Sequence, residues 1–133
     1  LLMLETRALA AYQGRLLDQT TVMLNSVDEI GRIRTWNRAS EAVFGARAVD
    51  VVGRRFGVEV ARAVEPARWQ ELWNELHERG FVTAELALTD ADGAPLPVHL
   101  EGRLLREGRA TTGAVFVALD LRSRKALETQ VLR

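Results

Sequence analysis

A chain of 133 residues, 47% hydrophobic and 27% charged, is sized and composed as one globular domain that buries roughly two-thirds of its unfolded surface without staples. Lys and Arg number 18 and Asp and Glu number 18, which argues against a nucleic-acid module and against electrostatic docking on anionic lipid. The absence of cysteine removes disulfides, thiolate metal sites, thiol nucleophiles and cysteinyl adducts, and two histidines leave a protein-held zinc without enough nitrogen ligands.

The first segment, residues 1–19, reads as a helix. Leu2, Leu9, Leu16 and Met23 recur every seven residues, with Tyr12 and Leu17 beside the seam. Such a stripe suits a dimer-forming helix or an amphipathic helix lying on its own domain. Thr21 to Val27 is a strand-like run, Asp28-Glu29-Ile30-Gly31 a turn, and Arg32 to Trp36 a second strand, which together predict a hairpin. Asn37 is a good N-cap for a two-turn helix over Arg38 to Phe44 ending at Gly45, and Ala46 to Val52 predicts another short helix ended by Gly53.

Pro66 opens the clearest helix, with Trp69, Leu72, Trp73 and Leu76 on one face, Glu75 and Arg79 four apart, and Gly80 as the stop. Three strands follow. Val82, Ala84, Leu86 and Leu88 alternate with polar residues, and Asp92-Gly93 supplies a hairpin turn. Leu96, Val98, Leu100 and Leu104 form the next inward row, with Pro97 predicting a late start or an edge position. In the last strand, Thr112 to Leu121, one face carries Val115, Val117 and Leu119 and the other Ala114, Phe116 and Ala118. Both faces are apolar and both require cover. Val117 is expected inside, and Phe116 on an outer face that meets the amino-terminal helix or a partner. Asp120 can cap a final helix over Leu121 to Arg133, supported by Ser123. The order predicts an α+β layer fold: a five-stranded antiparallel sheet with helices on one face, flanked by helices at both ends.

Four stretches in this order resemble the PAS domain family. Gly31-Arg32-Ile33-Arg34-Thr35-Trp36-Asn37-Arg38-Ala39-Ser40-Glu41 is similar to the family's second strand and first helix. Phe44-Gly45 followed by Val52-Gly53-Arg54 resembles its next signature. Leu88 to Pro97, with Asp90, Asp92 and Gly93, resembles the hairpin between two late strands. Gly113 to Lys125 resembles the closing strand and an Asp-x-Thr-x-Arg-Lys output motif, read here as Asp120-Leu121-Arg122-Ser123-Arg124-Lys125 with Ser for Thr. The resemblance covers about residues 20 to 125. It implies a core at 20–121 between a dimerisation helix at 1–19 and an exit helix at 122–133. It also implies relay through Asp120, Ser123, Arg124 and Lys125 to an effector such as a histidine kinase or diguanylate cyclase. Leu2, Leu9, Tyr12, Leu16 and Phe116 are the dimer candidates.

The same resemblance frames the cofactor question. Haem-binding members take a proximal His from the long helix, where His77 lies on the flank of the apolar stripe. A non-covalent flavin would need pocket amides, and Asn25, Asn74, Gln13, Gln19, Gln70 and Gln130 are the spare ones. The bland readings are a partly exposed His77 and no cofactor. Leu24, Phe44 and Phe56 are expected to line the pocket with Trp69, Leu72, Trp73 and Leu76 of the long helix and with Leu88, Leu100 and Val117 of the sheet. If Trp69, Phe44, Phe56 and Leu100 pack it shut, the domain is a ligand-free relay spacer instead.

No nucleophile elbow, P-loop or dinucleotide glycine triplet is present. An isomerase-like enzyme on a related cone would need a buried Asp–His pair, and strand alternation sends His99 outward. No apolar run reaches the roughly 18 residues needed to cross a bilayer. The chain starts at Leu1 and ends within a helical pattern, as expected for a piece of a longer, cytoplasmic signalling protein. The expectation is a homodimeric sensor with a small-molecule ligand or a partner signal, and not an enzyme in itself.

Overall fold

A computed structural model describes residues 21–122. The seam of Leu2, Leu9, Tyr12 and Leu16, and the expected relay residues Ser123, Arg124 and Lys125, lie outside the described residues. Within them, β1 (Val22–Val27) and β2 (Ile33–Trp36) form the first hairpin, followed by α1 (Arg38–Phe44), α2 (Ala48–Val51) and the long α3 (Pro66–Arg79). Then come β3 (Phe81–Thr89), β4 (Pro95–Glu107) and β5 (Ala110–Asp120). The sheet is antiparallel throughout, in the order β2-β1-β5-β4-β3. The expected α+β fold is the observed one.

Local chemistry explains most of the element ends. The Asn37 side-chain oxygen accepts from the Ser40 N–H at 2.9 Å and from the Leu24 N–H at 3.1 Å. Its amide donates to the Val22 carbonyl at 3.2 Å. One residue thus caps α1 and stitches it to β1. Gly45 and Gly80 close α1 and α3 in the left-handed conformation, and Pro66 opens α3.

Pro97 does not mark an edge, because β4 lies between β3 and β5. Pro97 stands opposite Ala87, yet Ala87 gives its carbonyl to the Val64 N–H and Pro97 gives its own to the Leu121 N–H. Neither turns its backbone toward the other. The missing N–H of Pro97 faces Leu121, past the end of β5, so no ladder bond is lost.

The core lies between the inner sheet face and the helices. Cross-strand partners share a face, and the inner pairs of β4 and β5 match large with small: Leu100 with Ala118, Gly102 with Phe116, Leu104 with Ala114. A Cβ on Gly102 would stand 2.8 Å from Phe116 Cε1 and 3.1 Å from Val82 Cγ1. The bare glycine therefore makes room for the Phe116 ring.

Candidate functional site

Trp36, Phe44, Phe56, Trp69 and Phe116 are all buried and form one connected aromatic cluster. Phe56 is its hub, with ring centroids 5.3 Å from Trp69, 5.2 Å from Phe116 and 6.2 Å from Trp36. Trp36 also meets Phe44 at 5.4 Å, and Trp69 meets Phe116 at 5.6 Å. Tilted and edge-on contacts at these distances are favourable packing. The expected pocket residues Phe44, Phe56, Trp69, Leu72, Leu76, Leu88 and Leu100 are brought together here, and Trp73 packs against them from the edge. They fill the space between α3 and the sheet with side chains. An interior haem or flavin does not fit this packing.

Two expectations about facing are corrected. Phe116 points into the core, while Leu24 and Val117 stand opposite each other on the outer face, Leu24 with 42% of its surface exposed. The parity of β5 was readable from the sequence, but which parity faced inward was not. The register against Gly102 decides it. The outer face carries a half-exposed apolar row: Val22 opposite Leu119, Leu24 opposite Val117, and Val115 beyond.

His77 is partly buried on the flank of α3. Its Nδ1 lies 2.9 Å from the Trp73 carbonyl one turn back, and its ring rests against Trp73 at 4.6 Å. It is engaged with its own helix rather than aimed into the core. His99 faces outward as expected, with Nε2 3.3 Å from Glu101 Oε1. Gln70 donates to Asn74 across one turn of α3. Asn25 differs from these. It is 3% exposed, it stands between Trp36 and Phe116 in register, and its Oδ1 is buried with no hydrogen-bond partner. An orphaned buried carbonyl costs about 1–3 kcal/mol.

The polar centre of the domain is the turn between β3 and β4. Asp90 Oδ1 accepts from the N–H groups of Asp92 and Ala94, each at 2.9 Å, which builds the turn. Three other segments are tied to it. The Ala91 N–H donates to the Val43 carbonyl of α1 at 3.0 Å. Thr89 Oγ1 donates to the Arg62 carbonyl at 2.8 Å. Arg122, just past β5, reaches Asp90 Oδ2 at 3.4 Å and Asp120 Oδ2 at 2.8 Å.

The Asp120 carboxylate also accepts the Arg122 N–H at 2.9 Å, as a cap. Its hydrogen bond to the guanidinium raises the Arg122 pKa above the ordinary arginine value. Burial opposes this, while the charges of Asp120, Asp90 and Asp92 add to it. A raised pKa keeps the guanidinium charged up to strongly alkaline pH, so the tie is not lost by deprotonating Arg122. Asp120 was an expected relay residue. Arg122 was not, because the output motif was matched through Ser123. Counted position by position, the Thr of that motif falls at Arg122 and not at Ser123, which corrects the Ser-for-Thr match, and a cation two residues after the capping Asp120 was the available signal.

Beside this turn a groove of about 670 Å³ opens between the turn, the start of α3 and the segment before it, with Trp69 in its wall. Among the described residues no helix is long and apolar enough to cross a membrane.

The family described as PAS fold matches residues 17–126. A search of curated proteins returns no match. Solved structures with the same fold include the PAS domain of a protein from Colwellia psychrerythraea, with a TM-score of 0.64 and 16% identity over 84% of this chain and 96% of that one. A blue-light activated histidine kinase from Erythrobacter litoralis superposes with a TM-score of 0.64 and 19% identity, over 82% of this chain but 36% of the kinase. A quorum-sensing receptor PAS domain from Cronobacter turicensis, in complex with C12:0, gives 0.63 and 16% identity over 76% of this chain and 94% of that one.

Proposed function

The chain belongs to the PAS family, and from that premise we propose that it is the sensing and homodimerising module of a larger signalling protein, passing a change at its β3–β4 turn to an effector through the segment after β5. The observation that carries this reading is the Asp90–Arg122–Asp120 tie. It links the turn to the end of the last strand and to the first residue of the exit segment. Asp90 and Asp120 are nearly buried, with 8% and 11% of their side chains exposed, while Arg122 is half exposed. Two held carboxylates gripping one accessible cation make a junction with two arrangements, closed and released. A small shift of the turn biases that choice.

In this reading residues 122–133 form the exit helix, with Ser123, Arg124 and Lys125 in its first turns. Residues 1–19 form the dimer helix along Leu2, Leu9, Tyr12 and Leu16, packed near the outer row of Leu24 and Val117. A ligand-free relay spacer is the second reading, and the aromatic filling of the interior favours it over an interior ligand.

The test is Asp120→Ala in the full-length protein, reading effector output alongside the melting temperature of the domain. Output that no longer follows the signal, with the core melting within a few degrees of the parent, supports the relay. Output and stability falling together would make Asp120 merely structural and overturn it.

A further inference from the structure

The groove beside the turn lies outside the aromatic core and meets it at Trp69. One wall is Gly57 and Val58, the second is Pro66 with Trp69 of α3, and the third is Gly93 with Pro95 of the β3–β4 turn. Val58, Pro66, Pro95 and the edge of the Trp69 indole make the groove mainly apolar, while Gln70, Thr89 and the Gly57 and Gly93 backbone add polar groups. Gly57 is needed for this shape: its φ is +80°, and a Cβ there would run into the Trp69 ring. The backbone thus lies directly against the indole at the base of the groove.

One lining residue carries a charge. Arg62 is exposed, and its guanidinium has no acidic partner among the described residues. Its backbone is held, because Thr89 Oγ1 bonds the Arg62 carbonyl at 2.8 Å. No carboxylate lines the groove to compete for that cation. An exposed guanidinium with no acidic partner among the described residues, at the side of a mainly apolar groove, is complementary to a molecule with an apolar body and a single carboxylate.

We propose that this groove binds an aromatic monocarboxylate, with Arg62 taking the carboxylate and the Gly57, Pro66, Trp69 and Pro95 surfaces taking the ring. The inference rests on the sensor reading for its consequence. Thr89, Gly93 and Pro95 flank Asp90, so a ligand seated in the groove bears on the turn that holds Arg122. Binding and relay are separable in the test.

The probe is phenylacetate, titrated into the isotope-labelled 133-residue chain and followed by amide and indole N–H resonances. Phenylacetamide serves as the neutral isostere. The expected result is that phenylacetate moves the Gly57, Val64 and Gly93 amides and the Trp69 indole signal. The Trp36 indole, bonded to the Ala46 carbonyl at 3.0 Å, should stay still. Arg62→Gln should weaken phenylacetate about tenfold and leave phenylacetamide unchanged, as expected for loss of a charge-assisted hydrogen bond, and Arg62→Lys should recover part of the loss.

Equal binding of acid and amide, or no effect of Arg62→Gln, would overturn the carboxylate assignment. Shifts confined to core amides such as Leu100 and Ala118, or no shifts at all, would overturn the groove. Groove signals that move while the Asp90 and Arg122 amides do not would sustain the site and overturn the relay reading instead.

Discussion

The two faces of the β1–β5 ribbon are built from the same strands and are almost equally apolar, yet they do opposite things. The inner pairs, Met23 with Ala118, Asn25 with Phe116 and Val27 with Ala114, are all buried. The outer pairs, Val22 with Leu119, Leu24 with Val117 and Ser26 with Val115, stay half open among the described residues. The difference is not hydrophobicity. It is cover: large and small residues alternate across β4 and β5 so that the inner face interlocks with the helices above it, while the outer face has no cover among the described residues. A face that interlocks makes a core, and an uncovered apolar face makes a place for something else to lie.

The strongest way to break this contrast is at Phe116. Its ring touches Phe56 and Trp69 and fills the space over Gly102. Phe116→Ala should cost about 3–5 kcal/mol in urea unfolding. A loss below about 1 kcal/mol would mean that the inner face is not the interlocked one.

The second is the complementary change. Gly102→Ala places a Cβ 2.8 Å from Phe116 Cε1 and 3.1 Å from Val82 Cγ1, and should cost about 1–3 kcal/mol through overpacking. Adding Phe116→Leu should return part of that cost, a non-additivity expected only if the two residues share one space. Additive losses would show that Gly102 matters for its backbone alone.

These positions also show how far the sequence could be read. Asn37, Gly45, Pro66 and Gly80 announce helix ends because a cap is a local event: the partner is three or four residues away and the side chain needed is a short list. The strand alternation and the Asp92-Gly93 turn are local in the same way. Facing is not. Phe116 and Val117 differ by one step of the pleat, and only the pairing of Phe116 with Gly102, 14 positions earlier on another strand, says which goes inside. The candidate site follows the same division. Asp120 was legible as a cap. Its bridge through Arg122 to Asp90 depends on the β3–β4 turn lying beside the end of β5, and the groove at Arg62 depends on the segment before α3 folding back onto β3. Both are long-range events with no motif of their own.

Asn25 offers a finer test of the inner face, with the opposite sign. Its Oδ1 is buried without a partner among aromatic rings. Asn25→Leu removes that orphaned carbonyl while keeping the same branching and number of heavy atoms, and should stabilise the domain by about 1 kcal/mol. Destabilisation would show that the amide is satisfied in solution, and the inner face would then be less dry than its packing indicates.

The smallest effect on stability is expected at Leu24. It is 42% exposed, and a lysine there can keep its charge in water, so Leu24→Lys should leave the unfolding free energy within about 0.5 kcal/mol. Association is where it should register. If the outer row is the surface on which the 1–19 helix and a second copy assemble, the 133-residue chain sediments as a dimer and Leu24→Lys shifts it toward monomer. Leu9→Lys should do the same through the helical seam. Should Leu9→Lys dissociate the dimer while Leu24→Lys does not, the helices associate without the sheet, and the outer row serves to seat the chain's own helix alone. Should neither change the mass, the contrast between the faces holds for folding but carries no consequence for assembly.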